Sequence, residues 1–376
     1  MLAELGPIYA KADALKLVSQ LRKSGFDPDL IATALTQVRL RRMAEPKFGE
    51  FAEQMLFSQE GLEQASRLQV AALHAGRFRQ AGIKHVADLG CGIGAESLAM
   101  ASLDIKVSAF EKDELTAAIA TFNLASFPNV KVEHADVTEV DLGKFEGLFF
   151  DPSRRDNRNR IFRPQDFSPS FDFVLATANQ KPTIVKLGPG HPHNQIPQDA
   201  EAVWVSVDGD LVELGLYFGE VRRTEIARAA VLITDSKTYE YTSAQTTTEH
   251  AVLADLGEYL YEPDNSLIRS HLLGDFAREF GLSAISPEIA YLTSHEKISS
   301  PWLKAYKVID QIAFDKKKLS AFLNQHDIGA IQIKKRGVDV IPEQLRKELN
   351  LKGSYPGTIV ITKIKDKRRV LLVEPC

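Results

Sequence analysis

The 376 residues include 46 lysines and arginines against 50 aspartates and glutamates, a formal net charge of −4 at pH 7, and 44% of the side chains are hydrophobic. That length and apolar content suit two or three cores, two cysteines exclude a disulfide scaffold, and no apolar run is long enough to span a bilayer. No secretory signal is read, so a cytoplasmic protein is expected, with neither a membrane nor a metal as partner. In chain order, Pro7 to Ser24 and Asp29 to Met43 have helical spacing, and Arg39, Arg41 and Arg42 form a solvated face. Ser58 is placed to cap a helix running to about Arg79, with Leu62, Leu68 and Val70 turned to the core.

The run His85-Val-Ala-Asp88-Leu-Gly90-Cys-Gly92-Ile-Gly94 reads as a buried strand that turns through three glycines into a helix. Glycines permit positive φ and let a ligand approach bare backbone, and the helix N-terminus presents free N–H groups. Two cofactors fit such a turn, a dinucleotide or S-adenosylmethionine, and Ala95 completes G-x-G-x-x-A, which keeps the first open. Asp88 separates them. A carboxylate two residues before the first glycine suits the ammonium of a methionine moiety and repels a pyrophosphate. A second strand, Lys106 to Glu111, a helix from Glu114 to Leu124, a third strand, Val130 to Asp136, and a fourth, Gly147 to Pro152, follow. All four strands close on an acid, and the alternation predicts a doubly wound parallel α/β sheet.

Through these motifs, over about residues 51 to 220, the chain resembles the bacterial class I S-adenosylmethionine-dependent methyltransferases, whose sheet is Rossmann-like. The resemblance implies that Gly90, Gly92, Gly94 and the neighbouring backbone hold the methionine part, beside Asp88. It also implies that Glu111 holds the ribose, that Asp136 holds the adenine amino group, and that Asp151, Pro152 and Ser153 face methyl transfer. Thr183 to Gly188 is then strand five, and Ala202 to Val207 with Val212 to Phe218 closes the sheet around the turn Asp208-Gly-Asp210. One departure stands at strand four. Methyltransferases of base amines show Asp/Asn-Pro-Pro and an aromatic, whereas Asp151-Pro-Ser-Arg-Arg155 lacks the stacking ring. Cys91 lies inside the glycine turn and Cys376 is the last residue, so covalent attack on a base is rejected in favour of direct transfer to nitrogen or oxygen.

Arg154, Arg155, Arg158, Arg160 and Arg163 begin at that acceptor site, and guanidinium forks suit phosphates. Lys186 lies at the next strand end, and His191 or His193 follows as a candidate base. From residue 301 on, sixteen basic residues face eight acids, a local charge of +8 that leaves −12 for the rest. This stretch reads β-α-β-α-β-β: a strand from Ala305 to Phe314, a helix Lys316 to Gln325, a strand Ala330 to Ile333 running into Lys334, Lys335 and Arg336, a helix from Pro342 to Leu349, and a hairpin of Thr358 to Ile364 with Arg369 to Val373. In arrangement and position it resembles the THUMP-like domain that follows the methyltransferase domain in a group of bacterial proteins, which implies RNA binding by analogy with true THUMP domains. The expected organisation is a helical region (1–80), a methyltransferase domain (81–221), a connecting lobe (222–300) with a helix from Ser266 to Phe280, and a basic α/β domain (301–376). RNA, as tRNA or rRNA, is the expected substrate, bound by Arg154, Arg155, Arg158, Lys186, Lys334, Lys335 and Arg336. A small-molecule or protein acceptor, and a non-catalytic RNA-binding protein, remain as alternatives.

Overall fold

The computed structural model describes residues 21–152, 155–156, 159–160, 167–235, 237–246 and 249–376. Ser153, Arg154, Arg158, Arg163 and residues 7–20 of the helix expected from Pro7 to Ser24 lie outside them, and Arg155 and Arg160 are described as backbone only. The chain divides into two compact units, residues 1–187 with 215–223, and residues 188–214 with 224–376.

In the first unit, Asp27 caps α1 (Pro28–Phe48), its carboxylate accepting from the Asp29 and Leu30 N–H groups. Ser58 caps α2 (Gln59–Gln64) as expected, but the helix does not continue to residue 79. It stops at Ala65, which is extended, and restarts as α3 (Leu68–Gln80). The reason lies elsewhere in the chain: Lys47 Nζ donates to the carbonyls of Leu62, Glu63 and Ala65 at 2.7, 3.0 and 2.9 Å, taking oxygens that a longer helix would pair with its own amides.

Next come β1 (His85–Leu89), α4 (Ala95–Ala101), β2 (Lys106–Glu111), α5 (Glu114–Leu124), β3 (Val130–His134), β4 (Gly147–Phe150), α6 (Phe171–Ala178) and β5 (Thr183–Leu187). Their order in the sheet is β5-β4-β1-β2-β3, all parallel, with residues 215–218 beside β5. Val86, Ala87, Asp88 and Leu89 are fully buried, as befits a central strand covered on both faces. The third and fourth strands end at His134 and Phe150, so Asp136 and Asp151 stand on the turns just beyond. Because β1 has β2 on one side and β4 on the other, the winding reverses there, and a ligand crevice is expected at the carboxyl ends of those strands.

The second unit holds β6 (Glu201–Val207) and the start of β7 (Asp210–Phe218), joined by a two-residue turn in which Asp208 and Gly209 have φ of 52° and 88°. Beside β6 run β8 (Arg228–Ile233), parallel to it, and β9 (Thr238–Ser243), antiparallel to β8. A separate seven-stranded sheet contains β10 (Tyr259–Pro263), β11 (Ser283–Ala284), β12 (Leu292–Ser294), β13 (Leu303–Ala313), β14 (Ile328–Lys335), β15 (Tyr355–Ile364) and β16 (Lys367–Pro375) in the order β11-β12-β10-β13-β16-β15-β14. Tyr259 to Pro263 pairs with Lys307 to Leu303, so one sheet runs through the expected boundary at residue 300. The helix expected from Ser266 to Phe280 is two, α7 (Asn265–Arg269) and α8 (Leu273–Glu279), broken where His271 takes φ 64°. The break brings Leu267, Leu272, Phe276 and Ala277 into one core, which a straight helix of that length would not do. In the C-terminal part, α9 (Lys316–Gln325) and α10 (Pro342–Glu348) pack Leu319, Phe322, Leu323 and Leu345 against Ile359, Ile361 and Val370.

Candidate functional site

The site grows from the end of β1. Gly90 has φ 95°, and a Cβ there would lie 3.0 Å from the Asp151 carbonyl oxygen, so only glycine lets the two strand ends approach. The Gly90 and Cys91 N–H groups both donate to the Phe110 carbonyl at 3.0 Å. At Gly92, φ 54°, a Cβ would meet nothing within 4 Å, so the backbone there faces open space. Gly94, also at positive φ, opens α4. Asn123 fastens the turn from behind, donating to the carbonyls of Leu56 and Ile93 at 3.0 Å and accepting from the Leu56 N–H at 2.7 Å.

Four acids ring this turn. Glu111 accepts from the Gly92 N–H and the Asp113 N–H, both at 3.0 Å, which holds its carboxylate over the glycines. Asp136 pairs with Lys112 at 2.7 Å and accepts from the Thr138 N–H and hydroxyl, and these bonds, Lys112 first, draw its carboxyl down to about 2. Asp88 is fully buried; one oxygen accepts from the Ser97 hydroxyl at 2.6 Å and the other, Oδ1, has no partner. Burial pushes its carboxyl up to about 7, with Glu96 and Asp151 adding to the rise. Asp151 stands one-third exposed, paired with Lys186 at 2.6 Å, while Pro152 is buried. The expected substrate lysine Lys186 is therefore engaged with the acceptor-side acid, and also reaches the Gln64 carbonyl at 3.3 Å.

Sequence reasoning missed the acid beneath the turn. Glu96, in the first turn of α4, is buried and lies 3.0 Å from Nδ1 of the fully buried His74 on α3, which packs against Phe149 and Tyr217. Burial raises the Glu96 carboxyl, but His74 and Lys186 outweigh it and hold it below the usual carboxylate range. An ionised carboxylate only accepts, so Nδ1 of His74 carries the proton. Two chemically active residues at unremarkable positions in separate helices gave no motif to read.

Cys91 is buried, and burial together with Asp88 and Glu111 pushes its thiol well up, so no reactive thiolate is available for covalent attack. In the second unit, His193 is stacked between Trp204 and His271, at 5.1 and 3.7 Å, with Arg228 3.0 Å from its Nδ1; burial, then His271, Arg269 and Arg228, push it down to about 3, far from a general base near neutrality. Also there, Lys334 pairs with Glu262 at 2.6 Å, and Arg336 lies 3.9 Å from the same carboxylate while donating to the Ala290 carbonyl. Lys335, between them on β14 and its exit, is exposed. Among the described residues no group of three or more His, Cys, Asp or Glu is placed to hold a metal ion, and no helix is long and apolar enough to cross a membrane.

A family model for the methyltransferase small domain matches residues 51–161, and one described as THUMP domain-like matches residues 303–375; a domain of unknown function matches residues 1–44. Over 349 residues, 90% of this chain and 93% of the relative, the chain is 30% identical to an uncharacterized S-adenosylmethionine-dependent methyltransferase found in two strains of Mycobacterium tuberculosis. The chain belongs to the S-adenosylmethionine-dependent methyltransferases. A crystal structure assigned as a methyltransferase, from Porphyromonas gingivalis W83, shares the fold with a TM-score of 0.73 at 18% identity, covering 97% of this chain and 98% of that one. The methyl donor fits the residues of this site: open backbone at Gly92, carboxylates at successive strand ends, and an unpartnered buried oxygen on Asp88, which a cation would satisfy. A dinucleotide does not fit, since its pyrophosphate would meet Asp88, Glu96 and Glu111.

Proposed function

We propose that this methyltransferase modifies RNA, tRNA or rRNA, by direct methyl transfer to nitrogen or oxygen. The observation that carries the reading is the basic C-terminal domain, +8 over residues 301–376, matched as THUMP domain-like, because true THUMP domains bind RNA. With Lys334 and Arg336 engaged by Glu262, the phosphate contacts fall to Lys335 and to the exposed basic residues of the two outer helices and their exits, Lys317, Lys318, Arg346, Lys347 and Lys352. The same reading puts the enzyme in the cytoplasm, where its RNA substrate is.

In the donor site, Gly90, Gly92 and Gly94 with Asp88 hold the methionine part, Glu111 the ribose and Asp136 the adenine amino group. The bound donor supplies a sulfonium whose methyl is already electrophilic, so the protein's task is orientation. Asp151 and Pro152, with Ser153, stand at the acceptor. Lys186 takes Oδ2 of Asp151, which leaves Oδ1 to accept from an acceptor N–H or O–H and to aim its lone pair at the methyl group. Arg154, Arg155 and Arg158 bring phosphates beside this acid. Mass spectrometry of nucleosides from cells lacking the gene tests the reading: one methylated nucleoside should disappear and return with the intact gene. An unchanged RNA nucleoside profile would favour a small-molecule or protein acceptor, which the neutralised Lys334 and Arg336 also suit.

A further inference from the structure

Arg228 opens β8 and is only 6% exposed. In the parallel pairing of β8 with β6, Arg228 stands beside Ala202 and Ala230 beside Trp204, so Arg228 and Trp204 share one face of the sheet. The guanidinium lies 5.0 Å from the centre of the indole ring. His193, on the loop before β6, stacks on the same indole, and His271 stacks on His193 with the ring centres 3.7 Å apart. Arg228 also meets Nδ1 of His193 at 3.0 Å, and because a guanidinium only donates, that nitrogen accepts. Helix α7 is fixed above this face: the Ser266 N–H donates at 3.2 Å to the hydroxyl of Ser206, two residues beyond Trp204 on β6. Its far end carries Arg269, which donates to the Pro189 and His191 carbonyls of the His193 loop at 3.0 and 2.8 Å. Two guanidiniums and two imidazoles thus converge from two strands, one loop and one helix end, and the cluster opens to solvent at the exposed His271.

Among the described residues no carboxylate acts on Arg228, Arg269 or His193; the side-chain charges that act on them are one another's and that of His271. Burial and this mutual repulsion draw Arg228 below its ordinary value, yet a guanidinium keeps its charge. A buried charge without a counter-charge is costly, and one contact with a neutral imidazole and one with an indole face offset only part of that cost. We infer that Arg228 and Arg269, with His193 and His271, form a binding site for a phosphate group. A carboxylate has two oxygens and one charge, whereas a phosphate offers more acceptor oxygens and up to two charges, which suits two guanidinium forks with imidazoles beside them. The site is separate from the methyl-donor turn and from the basic helices of the C-terminal part, and it holds whatever the methyl acceptor is.

The test is calorimetric titration of the full chain, at constant ionic strength, with inorganic phosphate, uridine 5′-monophosphate and an oligouridylate with hydroxyl ends. Wild type should bind at least one of them saturably, and Arg228→Gln should weaken that ligand by roughly ten- to a hundredfold, the range for removing a charged hydrogen-bond partner. His271→Asn should weaken it by a few-fold. Asparagine tolerates the left-handed backbone at this exposed position, φ 64°, so that variant carries the test if Arg228→Gln fails to fold. Binding of phosphate and the mononucleotide alone assigns the site to a phosphomonoester or the free ion. Binding of the oligouridylate that Arg228→Gln weakens assigns it to the phosphodiester backbone of RNA. No saturable binding of any of the three to wild type, or equal affinities in wild type and both variants, would overturn the site while leaving the RNA reading, which rests on the C-terminal domain, standing.

Discussion

Asp88 is the residue whose charge depends most on what lies beside it. Burial lifts its carboxyl from 3.8 to about 7, so the ligand-free protein holds a proton there well above the pH at which a free aspartate loses it. A donor ammonium favours the charged form, and binding near neutral pH should therefore release protons, read from binding enthalpies in buffers of different ionisation enthalpy. In Asp88→Asn that release should vanish. The sign for stability follows from the raised value: the contribution of Asp88 is fully present below pH 4 and is lost as pH rises towards 7, so Asp88→Asn should flatten that slope in thermal melts of the ligand-free chain. Asp151 is different, since it stands at the acceptor. Asp151→Ala should cut kcat by roughly a hundredfold or more while donor affinity stays within about twofold, because lost alignment acts on the transition state. Cys91→Ser should keep turnover, and its loss with donor binding intact would revive a covalent route.

At the scale of elements, local chemistry was legible and long-range pairing was not. The glycine turn, all five parallel strands and the β-α-β-α-β-β order of the C-terminal part were readable because period, turn residues and caps are properties of neighbouring positions. The break between α2 and α3 was not, because it depends on Lys47, fifteen to eighteen residues upstream, taking the helix-end carbonyls. The pairing of Lys186 with Asp151, thirty-five residues apart, and of Lys334 with Glu262, seventy-two apart, changed what two expected substrate residues are available to do. His74 and Glu96 were invisible for the same reason, each an ordinary helical residue until the fold joins them. Lys47 is the element to test. Lys47→Met should lower stability by about 1 kcal/mol, the cost of stripping a charged donor from partly exposed carbonyls, and should weaken donor binding through the displaced α2–α3 junction. Chemical denaturation and calorimetry on one variant read both, and unchanged values in both would refute the account of the break.

For the whole molecule, the charge is divided along the chain, +8 in residues 301–376 and −12 elsewhere, so affinity for a polyanion should reside in the C-terminal domain. Replacing Lys317, Lys318, Arg346 and Lys347 with Gln should raise KM for RNA and shallow the log–log salt dependence, each lost phosphate contact lowering the slope by about 0.7 to 0.9. Lys334→Gln should do less to the slope, because its charge is already met by Glu262. The direct test of the central claim is methyl transfer by the purified chain from labelled S-adenosylmethionine to a lysate of cells lacking the gene, separated afterwards into RNA, protein and small molecules. The label should enter RNA, be released by ribonuclease, and be lost in Asp151→Ala. Label confined to protein or to small molecules, with the RNA fraction blank, would contradict it.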